Sequence, residues 1–308
     1  MIEIREIASG LRFPEGPIAM PDGSIVLVEI AAGALTRIDP KGGKHVIAKL
    51  GGGPNGAAIG PDGKCYVCNN GGFRWTERDG RLFPGMAAED YTGGRIERVD
   101  LATGKFETLY DKCNGVPLKG PNDIVFDAQG GFWFTDLGKM RLRDRDRGGV
   151  YYARSDGSSI EEVIFPLDTP NGIGLSPDER RVYVAETGPG RLWAFELAGP
   201  GRLAKTVTSN LPNRGKLVIG LPDFQLFDSL AVERDGNVCV ATLYNGCITV
   251  AAPQGGLVEQ VAMPEPMTTN ICYGGVDLRT AYITLSSTGR LVAVDWPRPG
   301  LPLNFVNR

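Results

Sequence analysis

Apolar residues along this chain come in short runs separated by Gly-, Pro- and Asp-rich turns, and the runs fall into a repeat. From Glu15 the chain reads EGPIAMPDG: a polar residue, a short apolar run, then a turn ending at Gly23. The same pattern opens at Asn55 (NGAAIGPDG, to Gly63), Asn122 (NDIVFDAQG, to Gly130), Asn171 (NGIGLSPDE, to Glu179) and Asp228 (DSLAVERDG, to Gly236). A degenerate copy opens at Asn270 (NICYGGVDL, to Leu278). Each copy is followed by a second strand-like run: SIVLVE, KCYVCN, GFWFTD, RRVYVAE, NVCVAT and TAYITLS. Third and fourth runs follow, among them GVYYARS with EEVIFP and RLWAFEL with AKTVTS (204–209), whereas the last copy has GRLVAVDW and no fourth run.

Six units of four antiparallel strands, recurring at about 40 residues plus insertions, predict an all-β fold, a six-bladed β-propeller. The chain begins with a spare run, MIEIREIA, and residues 2–8 are expected to complete the sixth blade and close the ring, which would protect its strand edges. A single propeller domain over 1–308 follows. In a propeller the first strand of each blade is innermost, and strand direction alternates. The six opening residues, Glu15, Asn55, Asn122, Asn171, Asp228 and Asn270, should therefore gather at one mouth of the central channel. The ends of the second strands, including Glu29, Asn69, Asn70, Asp136, Glu186, Thr187 and Tyr244, should reach the same face.

Composition fits this picture. Gly (43) and Pro (22) are abundant, as a turn-rich β fold requires. The net charge of −3 carries no basic half, which argues against a nucleic-acid partner. The N-terminal MIEIREIASG lacks the apolar segment of a signal peptide, and no run approaches the roughly 20 apolar residues of a membrane helix. The expectation is a cytoplasmic protein with no membrane partner, its six cysteines reduced. Cys65 and Cys68 lie three apart in a strand-like run, so they should point to opposite faces rather than share a zinc ion. The only histidine, His45, sits in an alternating outer strand far from any nucleophile motif, which leaves neither a His-based zinc site nor a Ser-His-Asp triad.

Two of the six channel residues are carboxylates and four are amides. Oxygen donors of this kind suit a hard divalent cation, and two acids without one would repel each other. Asn is also an ordinary turn residue, and Asn55 and Asn270 are read as turn or supporting residues. Glu15 and Asp228 have no such explanation, because the equivalent positions elsewhere are Asn.

The stretches FPEGP, GPNDIVFD, TPNGIGLSPDERRVYVAET and FDSLAVERDGNVCVATL resemble the senescence marker protein (regucalcin)/gluconolactonase family of six-bladed propellers, over about residues 9–295. The resemblance implies one divalent metal held by Glu15, Asn122, Asn171 and Asp228, with Asn122 also a candidate for substrate. Ca2+ is the leading expectation; Zn2+, Mn2+, Mg2+ and Fe2+ are alternatives. It further implies hydrolysis of a sugar-type or related lactone to the hydroxy acid, with a small-molecule lactone as partner. With no histidine to serve, Asp228 is the candidate general base. Alternatives are an organophosphate or phosphotriester hydrolase on the same site, and a propeller that binds a ligand or metal without chemistry. The segments 71–93 and 138–149, the latter within the loop 136–149, are not expected family features. They read as long loops on the channel-mouth face, with Asn70, Arg74 and Trp75 as candidate substrate contacts. The Pro-rich tail WPRPGLPLNFVNR is expected to pack on the outer blades or on a neighbour. The sequence leaves the oligomeric state open.

Overall fold

The computed structural model describes residues 3–205 and 213–308. Short β-branched and aromatic runs bounded by turns form six antiparallel blade sheets arranged as a propeller, five of four strands and one, blade 4, of five. Blade 1 runs Pro14–Ala19, Ile25–Glu29, Ala34–Ile38, Lys44–Lys49. Blade 2 runs Pro54–Ile59, Cys65–Asn69, Arg95–Val99, Phe106–Tyr110, and blade 3 runs Pro121–Phe126, Gly131–Asp136, Gly148–Arg154, Ile160–Leu167. Blade 4 runs Pro170–Leu175, Arg181–Glu186, Arg191–Gly199, Lys216–Gly220, and blade 5 runs Leu226–Val232, Val238–Leu243, Cys247–Ala251, Leu257–Ala262. Blade 6 takes Thr268–Gly274, Thr280–Leu285 and Arg290–Asp295 from the C-terminal part, and its outer strand, Ile4–Ala8, from the N-terminus. That pairing closes the ring as the spare N-terminal run predicts.

The core is divided by blade interface. One apolar cluster fills each of the six junctions, because both faces of every sheet are covered by a neighbour. Cys65 packs in the blade 1–2 cluster and Cys68 in the blade 2–3 cluster, so the pair does diverge. All six cysteines are free and buried. Trp133 and Trp193 fill the blade 3–4 junction, and His45 lies exposed on the outer strand of blade 1.

Three expectations change. The run 204–209 reaches beyond the described residues from 206 onward, and the fourth strand of blade 4 is Lys216–Gly220, paired with Arg191–Gly199. The segment 71–93 is no plain loop: Phe73–Arg78 and Arg81–Ala87 form a hairpin paired only with itself. Its alternation was masked because the hairpin is half exposed and rich in charge.

The tail lies neither on the outer blades nor away from the body. It crosses the channel mouth opposite the six gathered residues. Leu301 N–H donates to Val232 C=O at 2.9 Å, Asn304 Nδ2 donates to Phe126 C=O and to Glu179, and Phe305 packs edge-on to Phe126. A cavity of about 100 Å³ remains between this plug and the gathered residues, with Gly16, Asp123 and Asn270 at one end and Leu303, Asn304 and Arg308 at the other.

Candidate functional site

Each innermost strand breaks register at its first polar residue. In blade 2, Pro54 pairs with Asn69 and Ala57 with Val67, leaving one extra residue on the inner strand. The same bulge lies between Glu15 and Ile18, Pro121 and Ile124, Pro170 and Ile173, and Phe227 and Leu230, with a related shift between Thr268 and Asn270. A bulge turns side chains out of the strict in–out alternation. Repeated around the ring, it aims one polar side chain per blade at the axis. The inner strands approach so closely here that a side chain would collide with backbone. A Cβ on Gly56 would lie 2.4 Å from the Asn122 carbonyl oxygen, and one on Gly172 would lie 2.6 Å from that of Asp228. This explains the Asn-Gly and Glu-Gly pairs that open these strands.

Glu15, Asn55, Asn122, Asn171 and Asn270 are buried, and Asp228 keeps partial solvent contact. Asn270 Nδ2 donates to Glu15 Oε2 at 2.8 Å, and the Gly16 N–H donates to the same oxygen at 3.0 Å. Asn171 Nδ2 donates to Thr187 Oγ1 at 3.0 Å, leaving its Oδ1 with only the long 3.5 Å contact from Ser229. Asn122 Oδ1 is buried with no partner. Burial raises the Glu15 carboxyl above the usual carboxylate range, against the opposing hydrogen bonds from Thr269, Asn270 and Gly16. Burial, with the Glu15 charge adding to it, pushes Asp228 well up.

A third acid stands with them. Asp123, the second residue of the blade 3 bulge, is pushed up to about 7 by burial, with a further contribution from Glu15. Strict alternation would turn the residue after Asn122 away from the channel, so the sequence carries no signal for Asp123; the bulge keeps it near the axis.

The second-strand ends reach this face but mostly serve the blades. Glu29 accepts from Arg12 N–H, Lys44 and Thr36, while Asn69 ties Gly53 and Gly71 to Glu97. Asp136 accepts from the N–H groups of Lys119, Gly120 and Gly138, and Glu186 from Asp168 N–H and Trp193 Nε1. Tyr244 is exposed against Phe224. Thr187 holds Asn171, and Asn70 stands apart: its Nδ2 is buried without a partner.

The hairpin reaches from blade 2 across the same face. Leu82 packs with Phe13 and Ile30 of blade 1, Leu243 of blade 5 and Met267 of blade 6, bordered by Phe73, Trp75 and Phe83. Leu82 N–H also donates to Ser287 C=O in blade 6. Trp75 stacks at a tilt on Phe13, 5.0 Å between centroids, and Arg74 is exposed with Glu89 at 3.7 Å.

Among the described residues, no three His, Cys, Asp or Glu side chains form a liganding cluster. An ion at this mouth would therefore take amide as well as carboxylate oxygens. The donors fit that role. Two acids raised by burial, Asp228 further by the Glu15 charge, call for a cation, and a buried amide oxygen without a hydrogen bond calls for a partner that is not a donor group of the protein.

Comparison with known proteins agrees with the architecture. The family model for the SMP-30/gluconolactonase/LRE-like region matches residues 13–287. A gluconolactonase of Zymomonas mobilis is 25% identical over 298 residues, covering 88% of this chain and 76% of that one. The lactonase drp35 of Staphylococcus haemolyticus is 28% identical over 252 residues, covering 81% and 69%. Among solved structures, a gluconolactonase from Xanthomonas campestris superposes with a TM-score of 0.74 at 22% identity, covering 96% of this chain and 90% of that one. A calcium-binding regucalcin from Agrobacterium tumefaciens superposes with a TM-score of 0.73 at 18% identity, covering 98% of each. With a bulged ring of polar residues at one mouth and a family match spanning all but the chain ends, this protein belongs to the SMP-30/gluconolactonase/LRE-like family.

Proposed function

We propose that this protein is a divalent-metal-dependent lactonase, opening a sugar-type lactone to its hydroxy acid. The observation that carries the reading is the meeting of Glu15, Asp228 and the unpartnered Asn122 Oδ1 at one channel mouth, in a family whose curated relatives include a gluconolactonase and lactonases. Glu15, Asn122, Asn171 and Asp228 would hold the ion through their oxygens, Ca2+ being the leading candidate for so hard a donor set. When bound, the ion supplies Lewis-acid polarisation of the lactone carbonyl.

The remaining work falls to the chain. Glu15 is fixed by Asn270 and Gly16 and supplies a buried negative charge. Asp228 is the less buried of the two carboxylates, and it is assigned to take a proton from an attacking water. Asn171 is held by Thr187: its amide NH2 serves Thr187 and the Asp228 carboxylate, while its Oδ1 faces Ser229. The tail covers the far end of the channel, and the hairpin borders the mouth at which the candidate ligands gather. A cytoplasmic location accords with this reading; among the described residues no helix is long and apolar enough to cross a membrane.

The test is a lactone-hydrolysis panel on chelator-stripped protein refilled singly with Ca2+, Mg2+, Mn2+, Zn2+ or Fe2+. Stripping should abolish turnover and one ion restore it. Asp228→Asn should retain measurable ion binding while turnover falls by about 10²–10⁴-fold, the range for a general base. Full activity in verified metal-free protein would reject the scheme, and near-normal turnover in Asp228→Asn would remove it from the base role.

A further inference from the structure

Lys139 is an anomaly. It follows the second strand of blade 3, in a segment otherwise rich in exposed charge, yet its side chain is 2% exposed. It reaches into blade 2, where its Nζ donates to Asn70 Oδ1 at 3.0 Å and to Gly72 C=O at 2.7 Å. The ammonium sits over the Phe73 ring, 4.1 Å from its centroid, with Tyr91 at 5.4 Å. Among the described residues no carboxylate accepts a hydrogen bond from it. Asp136, the acid that acts on it from a distance, spends its own oxygens on three backbone N–H groups. Burial accordingly pulls this lysine down to about 7. Either protonation state keeps the two N–H bonds in use.

The consequence falls on Asn70. Its Oδ1 accepts from Lys139 and from the Gly72 N–H at 2.8 Å. A flipped amide would set its NH2 against two donors, so this orientation is dictated rather than chosen. The Nδ2 end is thereby turned away from both, and it is buried with no acceptor. A buried donor left without a partner is costly in the protein alone. Asn70 is itself anchored at the channel-mouth end of blade 2, its N–H donating to Gly53 C=O just ahead of Asn55.

We propose that Lys139 is a positioning residue that locks the Asn70 carboxamide so that Nδ2 donates to a hydroxyl oxygen of the bound lactone. This rests on the lactonase reading and narrows it to polyhydroxylated, sugar-type rings. The contact is to a hydroxyl because Asn70 lies at the root of the hairpin, outside the bulge residues that would surround the carbonyl.

The test compares D-glucono-1,5-lactone with δ-valerolactone, which has no hydroxyl, for wild type, Asn70→Ala, Lys139→Met and the double variant. Asn70→Ala and Lys139→Met should each raise KM for the gluconolactone about three- to tenfold, as loss of one hydrogen bond does, and leave δ-valerolactone unchanged. Lys139→Met should add nothing in the Asn70→Ala background. Equal losses on both lactones, or additive losses in the double variant, overturn the proposal. Should Lys139→Met fail to fold, Asn70→Asp keeps the acceptor for Lys139 while deleting the donor, and must still weaken the gluconolactone selectively. Calorimetric binding of sodium D-gluconate separates the two claims. A wild type that hydrolyses no lactone but binds gluconate more tightly than Asn70→Ala sinks the lactonase reading and leaves the donor. Equal gluconate binding by the two sinks the donor, and a wild type that neither hydrolyses nor binds sinks both.

Discussion

Asp123 shows how much one bulge decides at the scale of a residue. Together with Glu15 and Asp228 it places three acids near one axis, all of them raised by burial. A carboxylate whose folded pKa exceeds its unfolded value binds more protons in the folded state. It therefore costs stability as pH rises toward that folded pKa, and relieves the cost below it. Chelated, metal-free protein should consequently melt at a lower temperature at pH 7 than at pH 5.5, and Asp123→Asn should flatten that slope. Calorimetric melts over this window decide it; a wild-type melting point that rises from pH 5.5 to 7 contradicts the picture. Two further residues carry information the repeat obscures. The position closing the first turn of each blade has positive φ and is Gly at 23, 63, 130 and 236, but Glu179 and Leu278 occupy it in blades 4 and 6. Such a backbone costs about 1–3 kcal/mol for a side chain. Both exceptions hold the tail: Glu179 binds Asn304 and Arg308, and the Leu278 carbonyl accepts from Gly300 N–H.

Among the elements, the hairpin Phe73–Arg78 and Arg81–Ala87 stands outside the six blades, on the face of the channel mouth. Among the described residues its strands pair only with each other. It is held by the Leu82 cluster, by Leu82 N–H on Ser287, and at its root by Lys139 on Gly72. Removing residues 74–86 across a Gly-Gly link should leave all six sheets intact, with unchanged far-ultraviolet dichroism. It should uncover Phe13 and Met267 and raise kcat/KM for lactones bulkier than gluconolactone relative to gluconolactone itself. An unaltered preference across such a panel would show that the hairpin only packs. The hairpin's position was not legible beforehand, because its contacts join residues from blades 1, 5 and 6 that are remote in the chain. Its two strands escaped notice for a local reason: half-exposed strands lack the apolar runs that marked the blades.

For the whole molecule, closure is the weak point. The outer strand of blade 6 comes from the other end of the chain, with Ile4 opposite Val294 and Ala8 opposite Leu291. Deleting residues 1–8 would bare the edge Arg290–Asp295, an exposed template for pairing with another chain. The truncated protein should unfold at a markedly lower temperature and elute partly as larger species in size-exclusion chromatography. A monomer of unchanged melting temperature would mean that the ring is held by its blade interfaces alone.

Taken by itself, the sequence determined the number of blades, the closure by an N-terminal strand, which is Ile4–Ala8, and the place of the six opening residues at the start of the innermost strands, because each is written in local periodicity and repeats. It also identified the two acids that break the Asn pattern, Glu15 and Asp228. Tertiary structure alone decided that Asp123 joins them, that Glu29, Asp136 and Glu186 are spent on backbone, that the tail plugs the far mouth, and that Lys139 governs Asn70 across a blade boundary. Those outcomes depend on register breaks and on which donors happen to meet which acceptors in space, and neither leaves a period in the chain.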